Sequence, residues 1–399
     1  MAQHTRLAAA LLATVALLGP LAACGTAAPG APAAPAAGQG SPLPGAPAEA
    51  PAGGPPPTRG FTLVATGDIL PHDSIIQQAW EDADGTGHDF GPLLAGARHV
   101  VADADLAICH METVYGADGG PFTGYPTFRT PPQIARAIKD TGYHSCSTAS
   151  NHTLDAGAAG VTRTLDAMDR VGLRHAGSAR SATERDTPVI LPAGDARVAH
   201  LAYTYGTNGN KVPAGQPWLV NLMDPARIVA DARAARRSGA DVVVVSMHWG
   251  TEWQEEPDSR QLSLARRLTA SNESGRRDID LIIGTHAHVP QPYEKVNGTW
   301  VVYGMGDQVA GVMKDPRGSM GSAARFRFTP PAARGGTWRV ESAEFVPHLM
   351  ASSPRFELVN LPRALAAEPD RAEFRDARDL VRGAALSRGA AEHGLTMGR

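Results

Sequence analysis

Histidines and acidic residues that follow short apolar runs are the side chains of this sequence with the clearest capacity for chemistry. One apolar run starts at Ile279 and leads to two histidines one residue apart, His286 and His288. In an extended segment alternate side chains point to the same face, so both imidazoles can face one metal centre. Alone, such a pair is more often a surface or hydrogen-bonded feature than a metal site. Metal binding is favoured because other apolar runs also end in Asp, Glu, Asn or His.

Five further polar residues follow or end apolar runs: Asp68, Glu112, Asn151, His152 and His248. With the histidine pair they provide carboxylate, amide and imidazole donors, and no thiolate. Such donors suit Mn²⁺, Fe or Zn²⁺, and they outnumber the ligands of one tetrahedral ion. We therefore predict two divalent ions that share a bridging carboxylate. The bridge is Glu112, one ion has Asp68 and His288, and the other has Asn151, His248 and His286.

Alternating strands and helices are predicted to position these residues. The predicted strands are residues 61–66, 105–109, 143–148, 198–203, 241–245, 279–283 and 300–303, and the predicted helices are residues 92–102, 133–139, 157–171, 225–237 and 259–269. This alternation predicts an α/β fold, a layered sheet with helices on both sides. Loops at the carboxyl ends of the strands build the binding crevice of such folds, so the polar residues should meet at one edge.

Length and charge leave an enzyme open and exclude one class of partner. The 399 residues are enough for one large domain or two ordinary ones with a substantial core. Lys and Arg number 37 against 40 Asp and Glu, a formal net charge of −3, and no basic block is present. Nucleic acid is therefore not a predicted partner.

The N-terminus has the pattern of an export signal. Arg6 precedes an apolar run, residues 7–18, which is short for a membrane span, and small residues then lead to Cys24. Residues 1–24 resemble a lipoprotein signal peptide, with Cys24 as the lipidation site that would tether the chain to the extracytoplasmic face of the cell membrane. The alternative is an ordinary signal peptide with an incidental cysteine. Residues 25–59 are rich in Ala, Pro and Gly and are predicted to be a disordered linker.

Folding is predicted to begin near residue 60, with a main domain over residues 60–350 and a partly helical extension over residues 351–399. Residues 325–328 and 338–346 are predicted to form a hairpin. Alternating Arg, Asp and Glu over residues 370–386 are typical of a solvated helix or frayed tail, and a helix that docks a partner is the alternative. Cys109 and Cys146 each fall at a predicted strand end, and a disulfide or two buried thiols both fit the pattern.

Five motifs occur in a characteristic order: residues 67–68, 111–112, 151–157, 248–253 and 286–294. In this order they resemble the motif series of the CapA family of poly-γ-glutamate capsule biosynthesis proteins, over roughly residues 61–348. That family is similar to the calcineurin-like metallophosphatases. The resemblance implies a metallophosphatase-like layered sandwich of mixed sheets flanked by helices, and poly-γ-glutamate as the polymer concerned.

The resemblance also implies residue roles. The metal ligands would be Asp68, Glu112, Asn151, His248, His286 and His288. His152 would stabilise or protonate the departing oxygen, and Asp155 would orient His152. His110 and Asp307 stand where the family usually has Asn, and we interpret His110 as a neighbour of the ligands rather than a ligand.

Other residues near the motifs have weaker assignments. His72 lies four residues after Asp68, where the phosphatases place a His two residues after, and is a minor ligand candidate. Residues that could line the substrate side are Tyr125, Arg129, Trp249, Glu252 and Trp253. Histidines interpreted as structural are His144, His175 and His200.

Two functions of different classes follow from these predictions. In the first, the chain is a membrane-tethered, extracytoplasmic hydrolase in which a metal-bound hydroxide attacks a phosphoester, or an amide of an anionic polymer. In the second, it is a non-catalytic accessory protein that holds or guides a polymer during capsule or envelope assembly. Capsule-assembly partners fit either function, and fold and motif alone do not fix the substrate.

Overall fold

The computed structural model of the chain describes residues 58–333 and 335–399. The predicted signal peptide, Cys24 and the predicted linker up to residue 57 lie outside the described residues. Among the described helices, none combines the length and apolar character needed to cross a membrane.

The strands, in chain order, are β1 (Phe61–Ile69), β2 (Leu106–Met111), β3 (Ser145–Ser147), β4 (Arg174–Ala176), β5 (Val189–Ala193), β6 (Ala196–Thr204), β7 (Val242–His248), β8 (Asn272–Glu273), β9 (Arg276–Arg277), β10 (Leu281–Thr285), β11 (Tyr293–Val296), β12 (Thr299–Val302), β13 (Asp307–Val309), β14 (Met320–Thr329), β15 (Arg339–Ala351), β16 (Glu357–Asn360) and β17 (Leu395–Met397). The α-helices are α1 (Asp73–Asp82), α2 (Gly91–Leu94), α3 (Arg98–Val101), α4 (Ile134–Thr141), α5 (Gly157–Arg170), α6 (Ala182–Asp186), α7 (Pro225–Arg237), α8 (Ser259–Thr269), α9 (Leu361–Ala367) and α10 (Ala372–Leu386).

Two mixed sheets form the centre of the fold. The first has the strand order β16-β15-β14-β1-β2-β3-β4, with β13 also paired to β1 and β17 to β15. The second has the order β11-β12-β10-β7-β6-β5. Each sheet contains four adjacent parallel strands, β1 to β4 in the first and β6, β7, β10 and β12 in the second. Parallel strands end at the same edge, so each sheet has one edge where carboxyl ends collect.

The two sheets pack face to face, with helices on their outer faces. Leu63 and Ala65 of β1 share an apolar core with Val242 and Val244 of β7, whereas Val243 faces helices α7 and α8. This alternation follows from the two-residue period of a strand, and β-branched residues fill both faces because both are covered. The outer face of the first sheet packs on α2 and α4 in the same way. The predicted layered α/β sandwich of mixed sheets flanked by helices is confirmed.

Two glycines allow the backbone of one strand to approach its neighbour closely. A Cβ atom on Gly67 of β1 would lie 1.7 Å from the carbonyl oxygen of Gly306, and one on Gly284 of β10 would lie 2.0 Å from that of Tyr303. Distances this short exclude any side chain at either position. Both glycines immediately precede the polar edge, so they fix the loops that bear its side chains.

The C-terminal segment packs onto the first sheet. Helix α10 lies within residues 370–386, but it is not the solvated helix expected from sequence, because its residues Val381 and Ala385 are buried in the core between the sheets. Strands β16 and β17 both pair with β15, which the charged pattern of this segment did not indicate. The segment is therefore part of the sheet rather than a frayed tail.

Cys109 and Cys146 form a disulfide, the first of the two predicted alternatives. They are paired residues of the adjacent parallel strands β2 and β3, with Cα atoms 4.4 Å apart. The bond ties together the two strands that lead into Glu112 and Asn151.

Candidate metal centre

All the predicted ligands lie at the carboxyl ends of the parallel strands. Asp68 is the penultimate residue of β1, Glu112 directly follows β2, Asn151 is in the loop after β3, His248 ends β7, and His286 and His288 follow β10. Each is buried, with an exposed fraction of 6% or less. Both sheets thus contribute side chains to one polar cluster between their ends.

The ligating atoms of these side chains lie within a few ångströms of one another. The Nε2 atom of His248 lies 2.9 Å from Oδ1 of Asn151 and 3.8 Å from Oε1 of Glu112. Its Nδ1 atom lies 3.7 Å from Oδ1 of Asp68 and 3.0 Å from the Thr285 hydroxyl. The backbone N–H of His286 donates to both oxygens of Asp68, at 3.3 and 3.1 Å.

The backbone that presents the histidine pair is not extended, contrary to the expectation from sequence. Strand β10 ends at Thr285, and His286 and His288 have φ values of 93° and 57°. Two non-glycine residues in left-handed conformations store on the order of 1–3 kcal/mol each, a feature typical of functional sites. The ring centroids are 6.0 Å apart, so a strained turn rather than a strand face brings the imidazoles together.

Buried atoms without hydrogen-bond partners test whether these residues suit a metal. Among the described residues, five such atoms belong to the cluster: Oε1 and Oε2 of Glu112, Nε2 of His110, Nδ1 of His286 and Oδ2 of Asp307. Leaving a buried carboxylate unpaired is costly, and a cation held by these atoms removes that cost. The donor set, rich in carboxylate and imidazole, therefore fits divalent ions, and the family-implied metals agree with it.

Ionisation in the cluster reflects its burial. Burial and the neighbouring carboxylate of Asp307 raise the pKa of Asp68 to about 7, and burial together with Asp68 raises the pKa of Glu112. Burial and the adjacent His288 lower the pKa of His286 to about 3, so its imidazole is neutral and able to ligate. Burial by itself would lower the pKa of His288. The neighbouring carboxylates of Asp307 and Glu112 have the larger effect, so the pKa of His288 is raised.

Two residues outside the predicted ligand set belong to the cluster. Nε2 of His110 lies 3.6 Å from Oδ1 of Asp68, and the His110 ring stacks on His248 with centroids 4.6 Å apart. Asp307 is fully buried, and its Oδ1 lies 2.8 Å from Nδ1 of His288. Two signals in the sequence could have identified them. His110 and Asp307 both stand where the family usually has Asn, and His110 lies two residues before Glu112, on the same face of the strand.

His152 and Asp155 have the contacts predicted for them. Nδ1 of His152 lies 2.7 Å from Oδ2 of Asp155, which also accepts from the backbone N–H of Phe128 at 2.8 Å. The opposite ring atom, Nε2, lies 3.4 Å from the Asn208 side chain. Asp155 thus fixes the ring with Nε2 beside Asn208, and the catalytic role of the pair stays a prediction.

The residues with weaker assignments differ in their contacts and in their exposure to solvent. Glu252 is exposed and within 4.8 Å of ligating atoms of His286 and His288, whereas Trp249 is buried and donates to the Tyr303 carbonyl, a packing role. Nδ1 of His72 accepts from the Gly311 N–H, and His72 is not a member of the described donor groups. Tyr125 is 72% exposed. Both ring nitrogens of His200 are bonded to serine hydroxyls, as expected of a structural histidine.

A large cavity of the described part of the chain has a lining separate from the cluster. It has a volume of about 570 Å³, and Arg180 on its wall is already paired with Asp166, Asp169 and Glu184. None of the predicted ligands lines it. A group of neighbouring ligating atoms without hydrogen-bond partners identifies a reactive centre better than the volume of a cavity does. The cluster therefore remains the candidate site.

Comparison with known proteins agrees with this arrangement. Residues 62–312 match the family described as "Bacterial capsule synthesis protein PGA_cap". The chain belongs to this family. The predicted relation to the CapA family is thereby confirmed, and the matched region of this PGA_cap chain contains every residue of the cluster.

Curated relatives of the PGA_cap chain include a probable polyglutamine synthesis accessory protein of Mycobacterium tuberculosis, 29% identical over 217 residues, or 51% of this chain and 55% of the relative. The PGA biosynthesis protein CapA of Bacillus subtilis is 29% identical over 183 residues, or 45% of this chain and 46% of the relative. The chain thus spans about half the length of the curated relatives it matches.

Solved structures similar to the PGA_cap chain include a 5'-nucleotidase precursor from Thermus thermophilus, with a TM-score of 0.44, 15% identity, and coverage of 80% of this chain and 59% of that one. The calcineurin-like phosphoesterase YfkN from Bacillus subtilis has a TM-score of 0.42 and 15% identity, and the match covers 81% of this chain and all of that chain.

The pKa of Asp68 predicts how the metal-free protein responds to pH. A carboxyl group whose pKa is raised by folding, here from 3.8 to about 7, binds a proton more tightly in the folded state. Its contribution to stability is complete below pH 4 and is lost as pH rises to 7. In the presence of a chelator, Asp68→Asn should therefore become more stable than the wild type over this range, on the order of 4 kcal/mol at pH 7.

Urea unfolding of the two proteins at pH 4, 5, 6 and 7 measures this difference. Distant groups that both proteins share cancel in the comparison, whereas Glu112 does not, because the charge of Asp68 contributes to its raised pKa; the difference therefore reports Asp68 together with its effect on Glu112. A constant difference in unfolding free energy across the range would contradict the prediction, and saturating Mn²⁺ should reverse its sign, because only the wild type has the carboxylate that binds the ion.

Proposed function

We propose that this chain is a binuclear-metal hydrolase that acts in the synthesis or processing of a capsule or polyglutamate polymer. The observation that carries the proposal is the buried cluster of metal-ligating side chains. In this cluster both carboxylate oxygens of Glu112 and Nδ1 of His286 have no hydrogen-bond partner. A structural core histidine or acid is normally satisfied by protein groups, as His200 is. Unpartnered donors converging at strand ends are the pattern of a site built for cations.

The residues of the cluster have distinct roles in this proposal. Asp68, Glu112, Asn151, His248, His286 and His288 hold two divalent ions. When bound, such a pair supplies an activated water and positive charge that stabilises the oxygens of a displacement at phosphorus. His152, held by Asp155, donates a proton to the departing oxygen from Nε2. The same chemistry extends to an amide bond of an anionic polymer, where His152 would protonate nitrogen.

The substrate and location are proposed on different grounds. Relatives are named for capsule and PGA biosynthesis, which supports an anionic polymer or a phosphoester of such a pathway as substrate. The Cys109–Cys146 disulfide supports an oxidising, extracytoplasmic location, since such bonds rarely persist in the cytosol. Together with the lipoprotein pattern at Cys24, it supports a chain tethered to the outer face of the cell membrane.

The purified chain should contain about two divalent ions by elemental analysis and hydrolyse an aryl phosphate or a γ-linked glutamate polymer in a chelator-sensitive way. The double variant His248→Ala with His286→Ala should bind neither ion tightly. His144→Ala, a histidine that accepts a hydrogen bond from the Ala107 N–H, is the matched control and should keep both. Two tightly bound ions in the double variant would refute the site.

A non-catalytic role is the second candidate, because the Mycobacterium tuberculosis relative is named an accessory protein. In that role the same cluster holds or guides a polymer without cleaving it. Polymer binding that persists in the metal-loaded chain, with no turnover of any phosphoester or polymer tested, would favour this function over hydrolysis.

A further inference from the structure

The number of donors in the cluster leaves the ion beside His288 short of protein ligands. The prediction assigns three of the six ligands, Asn151, His248 and His286, to the ion on the far side of Glu112. The other ion then has only Asp68, Glu112 and His288. Zinc in structural sites takes four ligands, and Mn²⁺ favours octahedral oxygen-rich sets, so a further donor is expected there.

Asp307 is placed by the fold to be that donor. Strand β13 pairs with β1 in parallel, and the register sets Asp307 directly beside Asp68. The backbone on both sides is pinned, because the Asp68 N–H donates to Gly306 and His348 donates to the Asp307 carbonyl. The carboxylate is therefore positioned by two strands rather than by a mobile loop, as a metal ligand must be.

The contacts of Asp307 are not explained by one hydrogen bond to His288. That contact uses Oδ1, at 2.8 Å from Nδ1, and leaves Oδ2 fully buried without a partner. Ligating atoms of Asp68, His288 and Asp307 all lie within 4.8 Å of one another. Two donors bound to one ion at about 2.1 Å and near right angles are roughly 3 Å apart, so the observed spacing also fits shared coordination.

The charges of the cluster also support an ion bound by Asp307. Asp68, Glu112 and Asp307 are three carboxyl groups with no exposed surface, and no Lys or Arg is in contact with them among the ion pairs of the described residues. Burying three carboxylates without a Lys or Arg partner is costly, and an ion between Asp68 and Asp307 would provide the compensating positive charge.

We propose that Asp307 is a direct ligand of the metal ion held by Asp68 and His288, so that this ion has three carboxylate ligands and one imidazole. This inference rests on the proposed metal centre and adds a residue to it. An oxygen-rich set of this kind suits Mn²⁺, while the ion held by Asn151, His248 and His286 has a set richer in nitrogen.

Anomalous diffraction from crystals of the full chain loaded with Mn²⁺ tests the proposal directly. An Asp307 oxygen should lie about 2.0–2.2 Å from the ion nearest Asp68 and His288. An ion at that place with both Asp307 oxygens beyond about 3 Å would overturn the inference and leave the proposed function intact. A chain that binds no Mn²⁺ at all would overturn both.

Calorimetric titration with Mn²⁺ gives a second test in solution. Asp307→Asn keeps an oxygen that accepts a hydrogen bond from His288 but removes the charge, so it should weaken one of the two ions more than about a hundredfold and leave the other unchanged, a larger loss than the roughly 10–100-fold typical of a residue that only orients a ligand. If Asp307 only orients His288, the loss should stay below about a hundredfold, and the inference fails. Asp278→Asn is the matched control, because Asp278 is a buried carboxylate paired with Arg233.

Discussion

Replacing Glu112 with Gln should empty both metal positions and lower hydrolysis more than about a thousandfold, since bridging metal charge supplies several kcal/mol of transition-state stabilisation. Glu112 is the acid that both ions share in the proposed centre, and both of its oxygens are buried without protein partners. Gln has the same shape but places an uncharged amide between the ions, with a donor group facing them. The loss should therefore exceed that of any ligand that serves one ion.

Elemental analysis after gel filtration and steady-state hydrolysis of an aryl phosphate measure the two effects together. Glu294→Gln is the matched control, because Glu294 is a half-buried carboxylate of β11 that accepts from Tyr303 and Arg388, outside the cluster. It should leave metal content and rate unchanged. Full occupancy by two ions in Glu112→Gln would show that Glu112 is not the bridge.

Replacing His152 with Ala should lower the rate by about 10²- to 10⁴-fold while both ions remain bound. The Nδ1 atom of His152 is held by Asp155 at 2.7 Å, and Nε2 is directed away from that contact toward the side chain of Asn208. A group that protonates the departing oxygen matters most when that oxygen is a poor leaving group. The defect should thus be large for an alkyl phosphate and small for a nitrophenyl phosphate.

The dependence on leaving group separates this role from a structural one. Asp155→Asn should show the same trend at smaller amplitude, because it disturbs the orientation of the ring without removing it. Equal defects for alkyl and nitrophenyl substrates, or a loss of bound metal in His152→Ala, would contradict proton donation. Asn208→Ala, which removes the other neighbour of the ring, tests whether the contact at 3.4 Å matters to the same step.

The sequence was informative wherever a strand ends in a chemically distinctive residue. Helices α7 and α8 begin and end where helical patterning places them, and β7 is marked by its run of valines. Because parallel strands share a polarity, knowing that His248 and His286 follow two such strands was enough to place them at one edge. The histidines of the core, such as His200, were separable because they fall inside strands.

What the sequence did not reveal depends on contacts between distant segments. Strand β13 has three residues, too few for a periodic pattern, and its pairing with β1 joins positions far apart in the chain. Asp307 was visible only as a departure from a motif. The turn at His286 and His288 was also hidden, because positive φ is uncommon at any non-glycine residue and no local signal in the sequence marks where it occurs.

The direction of strand β1 separates the start of the described chain from the candidate metal centre. Its nine residues start at Phe61, beside the predicted linker, and reach the metal centre at the other end, about 30 Å away in an extended strand. The polypeptide therefore enters the described domain at the end of β1 that is remote from the candidate centre.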